Sequence, residues 1–153
     1  ETFYGIYQNA DTIMRFHKAI IYEGEKSVLL NRTYFGKDDF SIAVCGSNLS
    51  RTQIRILLEQ LKVNEVILAF DKEYEDANSY KAEAYNKKLI KKVTPLIRFH
   101  QVSILFDTED LLHTKDAPCD QVKEVLLRLL DQKIKVDLSD LDESENKQND
   151  KFL

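Results

Sequence analysis

Short apolar runs alternate with longer amphipathic segments along most of this chain. KAIIY at 18–22, SIAVC at 41–45, VILAF at 66–70 and VSILF at 102–106 are rich in β-branched residues and bounded by polar or glycine positions, which predicts four buried strands. Residues 25–35 (EKSVLLNRTYF) predict a short helix opening just after Gly24. Ser50 with Gln53 fits a capping box, and Ile54, Leu57, Leu58 and Leu61 follow at helical spacing, so a helix is expected at about 51–62. Residues 76–93, rich in Ala, Lys, Glu and Tyr, predict a long helix stopped by Pro95. A last helix is expected with Asp120 as its cap and Val122, Val125, Leu126, Leu129 and Leu130 on one face. Residues 1–17 mix polar and aromatic positions around a turn at Tyr4-Gly5 and read as a lead-in segment. Residues 137–153 turn acidic and polar and read as a tail or linker. Strands alternating with helices over 18–136 predict an α/β sandwich with a mostly parallel sheet.

Candidate chemistry lies where these strands end. Glu23 follows the first, Asp71 and Glu73 follow the third, and Asp116 stands in the loop after the fourth. Ligands of an open α/β sheet bind outside the carboxyl ends of its strands. Carboxylates gathered there repel one another unless a cation joins them, and hard oxygen donors suit Mg²⁺ or Mn²⁺, the ions of phosphate chemistry. Gly24, with no side chain, lets a phosphate or another backbone come close to Glu23. Asp71 and Glu73 are two apart and share a face if the strand continues. Any one of these acids alone reads as a cap or surface group; three clusters at matching strand ends favour a metal site.

Charge refines this reading. The formal net charge is −4, and the tail accounts for all of it, with Asp137, Asp140, Asp142, Glu143, Glu145 and Asp150 against Lys147 and Lys151. The preceding residues are therefore neutral overall, less basic than is usual for a nucleic-acid-binding domain. Lys87, Lys88, Lys91 and Lys92 recur at helical spacing and form a basic stripe that reads either as a solvated face or as a phosphate track. Gly46-Ser47-Asn48 offers backbone N–H groups to an anion or simply turns the chain. Cys45 and Cys119 form no CxxC pair and read as reduced thiols in a cytoplasmic protein, Cys45 in the core and Cys119 in a polar loop. His17, His100 and His113 show no ligand spacing and read as surface or strand-edge positions. No apolar run approaches the ~20 residues of a membrane span, so no membrane partner is expected. The first residue is Glu1 rather than Met, and a position within a longer chain is expected.

Taken together and in order, these motifs resemble a Toprim domain, most closely that of the bacterial and phage DNA primases. YEGEKS at 22–27 resembles the first motif, CGSNLS at 45–50 the segment leading into its amphipathic helix, and ILAFDKE at 67–73 the Asp-x-Asp motif. KDAPCD at 115–120 is similar to a later Asp-containing loop, and Phe3-Tyr4-Gly5-Ile6-Tyr7 to the entry from the preceding primase subdomain. The likeness covers roughly residues 3–130 and rests on order and spacing more than on any single motif.

The resemblance implies a Toprim-like Rossmann-type fold, with a lead-in at 1–17, a catalytic domain at 18–136 and an acidic tail beyond. It implies a Mg²⁺- or Mn²⁺-dependent nucleotidyltransferase that makes RNA primers in DNA replication. Glu23, Asp71 and Glu73 would be catalytic and metal-holding, Asp116 an additional ligand, and Gly24, Lys26, Gly46, Lys87, Lys88 and Lys91 contacts to phosphate or nucleic acid. Single-stranded DNA template, nucleoside triphosphates and a replicative helicase would be partners. Several positions depart from the family pattern. Glu73 replaces the second Asp, Tyr74-Glu75-Asp76 stands where a glycine commonly follows, Lys26 takes the place of an acid, and Pro118 that of a second later acid. The rival readings are a Toprim binding or scaffolding module without turnover and a Toprim nuclease.

Overall fold

The structure is a computed structural model describing residues 2–96 and 98–137. Five strands form one sheet in the order β2-β1-β3-β4-β5. They are β1 (Lys18–Tyr22), β2 (Ser41–Ala43), β3 (Glu65–Ala69), β4 (Gln101–Ile104) and β5 (Ile134–Lys135). The first four run parallel; only β5 pairs antiparallel, on β4. The α/β sandwich expected from the alternating pattern is the one found.

Both faces of the sheet are covered, which explains why its strands read as nearly continuous apolar runs rather than alternating ones. Ala19 and Ile21 of β1 and Val66 and Leu68 of β3 enter one core with α1 (Ile6–Phe16), α3 (Arg51–Arg55) and α4 (Tyr80–Val93). Ile20, Tyr22, Ile67 and Ala69 enter the other with α2 (Glu25–Phe35) and α5 (Lys123–Asp131). α2 has the bounds read from the sequence. The Ser50–Gln53 capping box is present in both directions, and after Arg55 the helix widens into a π-helical stretch, Ile56–Gln60, closed by Leu61 N–H donating to the Ile56 carbonyl at 2.9 Å.

Some elements differ from expectation. The lead-in segment forms an edge bridge, Tyr4 with Ala43, and then α1, with Phe3 and Ile13 buried in the first core. Ile6, Ala10 and Ile13 of that helix face the core at helical spacing, with polar Asn9 buried among them, a pattern the sequence carried but the lead-in reading passed over. α4 starts at Tyr80, capped by Ser79, rather than at 76. β2 ends at Ala43, so Cys45 lies outside the sheet with φ 55 and is exposed, whereas Cys119 is fully buried. Both are free thiols, but their environments are the reverse of those expected. Val122, not Asp120, sits at the cap position of α5; the Asp120 carboxylate instead accepts from Ala117 N–H at 2.8 Å. Val122, expected on the apolar face of that helix, is exposed. The tail reading falls mostly on 138–153, outside the described residues. Among the described residues no helix is long and apolar enough to cross a membrane.

Candidate functional site

β1 and β3 lie side by side in parallel, with Tyr22 level with Ala69. Each strand therefore releases its following acids at the same edge, and Glu23 comes to face Asp71. Their side chains share a hydrogen bond. Both carboxyls are held above their ordinary range, Glu23 the more strongly. Burial, the neighbouring Asp71 with which it hydrogen-bonds, and Glu73 together push Glu23 from 4.5 to about 7, against a smaller opposing pull from Lys92. Burial also raises Asp71, with Asp120 and Glu73 adding to the rise, while the bond from Glu23 and the nearby Lys115 work the other way.

The chain stays extended past β3, and burial alternates with it. Asp71 and Glu73 face outward, while Lys72 and Tyr74 face inward. Lys72 is buried at 3% exposure, and its ammonium donates to Asp107 at 3.0 Å, Asp110 at 2.8 Å and the Leu112 carbonyl at 3.0 Å. Its backbone pairs with the same loop, N–H to the Asp116 carbonyl at 2.8 Å and carbonyl from Lys115 N–H at 2.7 Å. Tyr85, buried on α4, donates from its hydroxyl to the Asp71 carbonyl at 2.5 Å. The Asp71–Glu73 segment is thus fixed from below by an ion cluster and from the side by a helix.

Glu73 is engaged by the Lys115 ammonium. Asp116 is occupied with its own turn, accepting from His113 N–H at 2.9 Å and Gln121 Nε2 at 2.6 Å, and from this loop it is Asp120 whose charge acts on Asp71. Among the described residues, no three His, Cys, Asp or Glu groups stand at ligand spacing around one point. Glu23 and Asp71 form a close pair, with Glu73 beside it under its own counter-charge.

Two open clefts meet at Glu23. One, of about 530 Å³, is lined by Glu23, Gly24, Glu25, Cys45, Gly46 and Asp71. An added Cβ at Gly24 or Gly46 would meet open space, so both leave the backbone accessible there. The other, of about 460 Å³, is lined by Glu23 and Glu73 and, from α4, by Lys81, Lys88 and Lys92. Lys92 donates to the Ser47 carbonyl at 2.5 Å and to Asn48 Oδ1 at 3.1 Å, tying the loop after β2 to the helix. Its pKa is lowered, mainly by burial and also by Lys88, with Glu23 opposing. Lys91 lines a further cleft beside Ser47, Asn48 and Lys88. Lys87 pairs with Glu83 at 3.9 Å and does not line these clefts, and Lys26 stands 3.8 Å from Asp120. Lys81 and Lys115 did not stand out in the sequence. Lys81, Tyr85, Lys88 and Lys92 follow one helix face, a spacing that was readable. Lys115 is brought to Glu73 by a loop contact across 42 residues, which no local pattern reveals. On the same helix Tyr80 is 84% exposed, while Tyr85 is buried.

Comparison with solved structures places this architecture among DNA primases. The zinc-binding and RNA polymerase domains of Aquifex aeolicus primase match over 88% of this chain and 30% of theirs, with a TM-score of 0.58 and 20% identity. The DnaG primase catalytic domain bound to ssDNA matches over 87% of this chain and 39% of its own, with a TM-score of 0.60 and 17% identity. The RNA polymerase domain of Mycobacterium tuberculosis primase DnaG, in complex with double-stranded DNA, matches over 86% and 39%, with a TM-score of 0.57 and 18% identity. The chain shares the fold of primase catalytic cores. In sequence it is 41% identical over 143 residues to the SPbeta prophage-derived uncharacterized protein YorJ of Bacillus subtilis (strain 168), covering 87% of this chain and 37% of the relative. The chain thus spans little more than a third of the curated relative it matches. No known family profile matches it.

Proposed function

We propose that this chain is the Toprim-type catalytic module of a primase-like protein, carrying out divalent-metal-dependent phosphoryl transfer for RNA primer synthesis on single-stranded DNA. The observation that carries the reading is the Glu23–Asp71 pair. Two carboxylates on rigid strand ends are brought together by the parallel register, burial and neighbouring carboxylates hold both above the ordinary range, and Glu23 opens onto a lysine-lined cleft. A site under such repulsion is completed by a cation, and an all-carboxylate donor set fits Mg²⁺ or Mn²⁺.

Glu23 and Asp71, with Glu73 beside them, would hold the ion, and Asp116 or Asp120 would contribute from the loop. A divalent ion there would supply charge stabilisation to the oxygens of a phosphoryl group in transfer. The protein's own groups do the rest. Lys81, Lys88 and Lys92 set positive charge along one wall of the cleft, where a phosphate backbone gains most from it. The open backbone at Gly24 and Gly46 allows a phosphate to approach the acids without meeting a side chain. Exposed Tyr80, at the start of the same helix, presents a ring on which a base can stack. No protein nucleophile is needed, because the attacking group is a 3′-hydroxyl of the growing primer.

A second reading, a binding module without turnover, has one observation in its favour: Glu73 is engaged by Lys115 rather than turned toward Glu23 and Asp71. Incubation with single-stranded DNA, ribonucleoside triphosphates and Mn²⁺, with products resolved on a denaturing gel, separates the readings. Template-dependent RNA products, lost in Asp71→Asn, support primer synthesis. Shortened DNA would assign a nuclease, and metal-dependent DNA binding without product would assign the binding module.

A further inference from the structure

The lysine-bearing wall of α4 continues past the acids. Beyond the cleft that it shares with Glu23 and Glu73 lies a second, of about 420 Å³, with Ser47, Asn48 and Leu49 on one side and Lys88, Lys91 and Pro95 on the other. Ser47, Lys88 and Lys92 line both clefts, so the two are consecutive halves of one groove between α4 and the loop after β2. Its walls are held at a fixed width. Lys92 bridges them by donating to the Ser47 carbonyl and Asn48 Oδ1. The loop is tied down on its other side by Gly46 N–H donating to the Glu23 carbonyl at 3.3 Å and by Gln53 Nε2 donating to the Val44 carbonyl at 3.3 Å. The halves differ in charge. In the first, Glu23 and Glu73 stand with Lys81, Lys88 and Lys92; among the described residues, the lining of the second has Lys88, Lys91 and Lys92 and no carboxylate. The cleft on the other side of Glu23 is the reverse, lined by Glu23, Glu25 and Asp71 with no basic side chain. A polyanion that reaches Glu23 therefore has one favourable direction in which to continue, along α4.

We propose that this groove is a track for an extended single-stranded polynucleotide, which runs from the acids past Lys88 to Lys91 and Pro95, rather than a seat for the compact triphosphate of a nucleotide. This inference rests on the phosphoryl-transfer reading above and adds which ligand occupies the helix wall, how far it reaches and in which direction. Length supports it. Lys81 and Lys91 lie ten residues apart on α4, so the charged wall extends ~15 Å, enough for roughly four stacked phosphates or half as many stretched ones. A triphosphate is shorter and would fill one half only. Chemistry supports it too. Leu49 and Pro95 give the far half apolar surface that sugars and bases can cover and a bare phosphate chain cannot use. Because the far half is lined by cations alone, the strand binds there whether or not a divalent ion occupies the acids.

Fluorescence anisotropy of labelled oligothymidylates of increasing length, measured in EDTA, tests this without metal or turnover. Affinity should rise with length until the oligomer spans both halves, and then level. Lys91→Ala, which keeps the helix, should weaken the longer oligomers and flatten their slope of log K against log salt by about 0.7, with little effect on the shortest. Lys87→Ala, on the same helix but turned to Glu83 at 3.9 Å, should match wild type. Unlabelled tripolyphosphate should displace a long oligomer only weakly. Affinity independent of length, Lys91→Ala equal to wild type, or displacement by tripolyphosphate as effective as by the unlabelled oligomer overturns the inference. So does the absence of binding by every oligomer in EDTA. The phosphoryl-transfer reading is decided separately, by the primer-synthesis assay with Mn²⁺, so the two can fail independently.

Discussion

Replacing Glu23 by Gln perturbs the site with almost no change of shape. The amide keeps an N–H to donate to Asp71 and removes one of the two competing charges. In wild type the folded protein holds on Glu23 a proton that the unfolded chain releases, since the group rises from 4.5 to about 7 on folding. A carboxyl shifted in this direction favours the folded state fully at low pH. That advantage is lost as pH rises across the window from about 4.5 to about 7. For one carboxyl moved that far the loss is at most ~3 kcal/mol. Glu23 is only partly buried, so solvent screening reduces the figure to ~1–2 kcal/mol. Glu23→Gln escapes the loss. At pH 8.5 it should be more stable than wild type by ~1–2 kcal/mol, a Tm higher by roughly 3–8 °C for a domain of this size. The difference should shrink toward zero as pH falls to 4.5. Urea unfolding at pH 4.5, 6 and 8.5 reads this directly. Equal stability of the two proteins at pH 8.5, or a difference independent of pH, would refute the close Glu23–Asp71 pairing.

Other outcomes follow from named contacts. Lys72→Met removes the only cation from a cluster in which the Lys72 and Asp107 side chains are each 2% exposed, and should cost ~3–5 kcal/mol in urea unfolding, with part restored by adding Asp107→Asn. Ser50→Ala removes the hydroxyl that accepts from Gln53 N–H, leaves the reciprocal Ser50 N–H bond to Gln53 Oε1, and should cost ~1 kcal/mol by the same measurement, with no effect on metal binding. Lys88→Ala should weaken binding of single-stranded DNA whatever its sequence and flatten the slope of log K against log salt by roughly 0.7, as measured by fluorescence anisotropy across a salt series.

Much of this architecture was legible because its strands are buried on both faces. An apolar run followed by an acid marked the ends of β1 and β3, and the parallel register then sets Glu23 against Asp71. The glycine before α2 and the capping box of α3 marked helix starts for reasons local to a few residues. What could not be read depended on distant contacts or weak patterns. β5 is two exposed residues with no alternation to detect. Lys72 looks like a spacer between two acids, and its inward turn follows from strand alternation. Its burial, however, needs Asp107 and Asp110 from 35 and 38 residues away. Asp116 and Asp120 are four apart in one loop, and only the folded turn decides which of them acts on Asp71. Cys45 and Cys119 exchanged expected environments because the chain leaves the sheet at Ala43, two residues before the apolar run ends.

Calorimetric titration of Mn²⁺ into wild type and Asp71→Ala tests the central claim most directly. The account predicts saturable binding to wild type, accompanied near pH 6.5 by proton release from Glu23, whose pKa is raised to about 7, and no such binding to Asp71→Ala. Binding that survives in Asp71→Ala, or none in wild type, would contradict it.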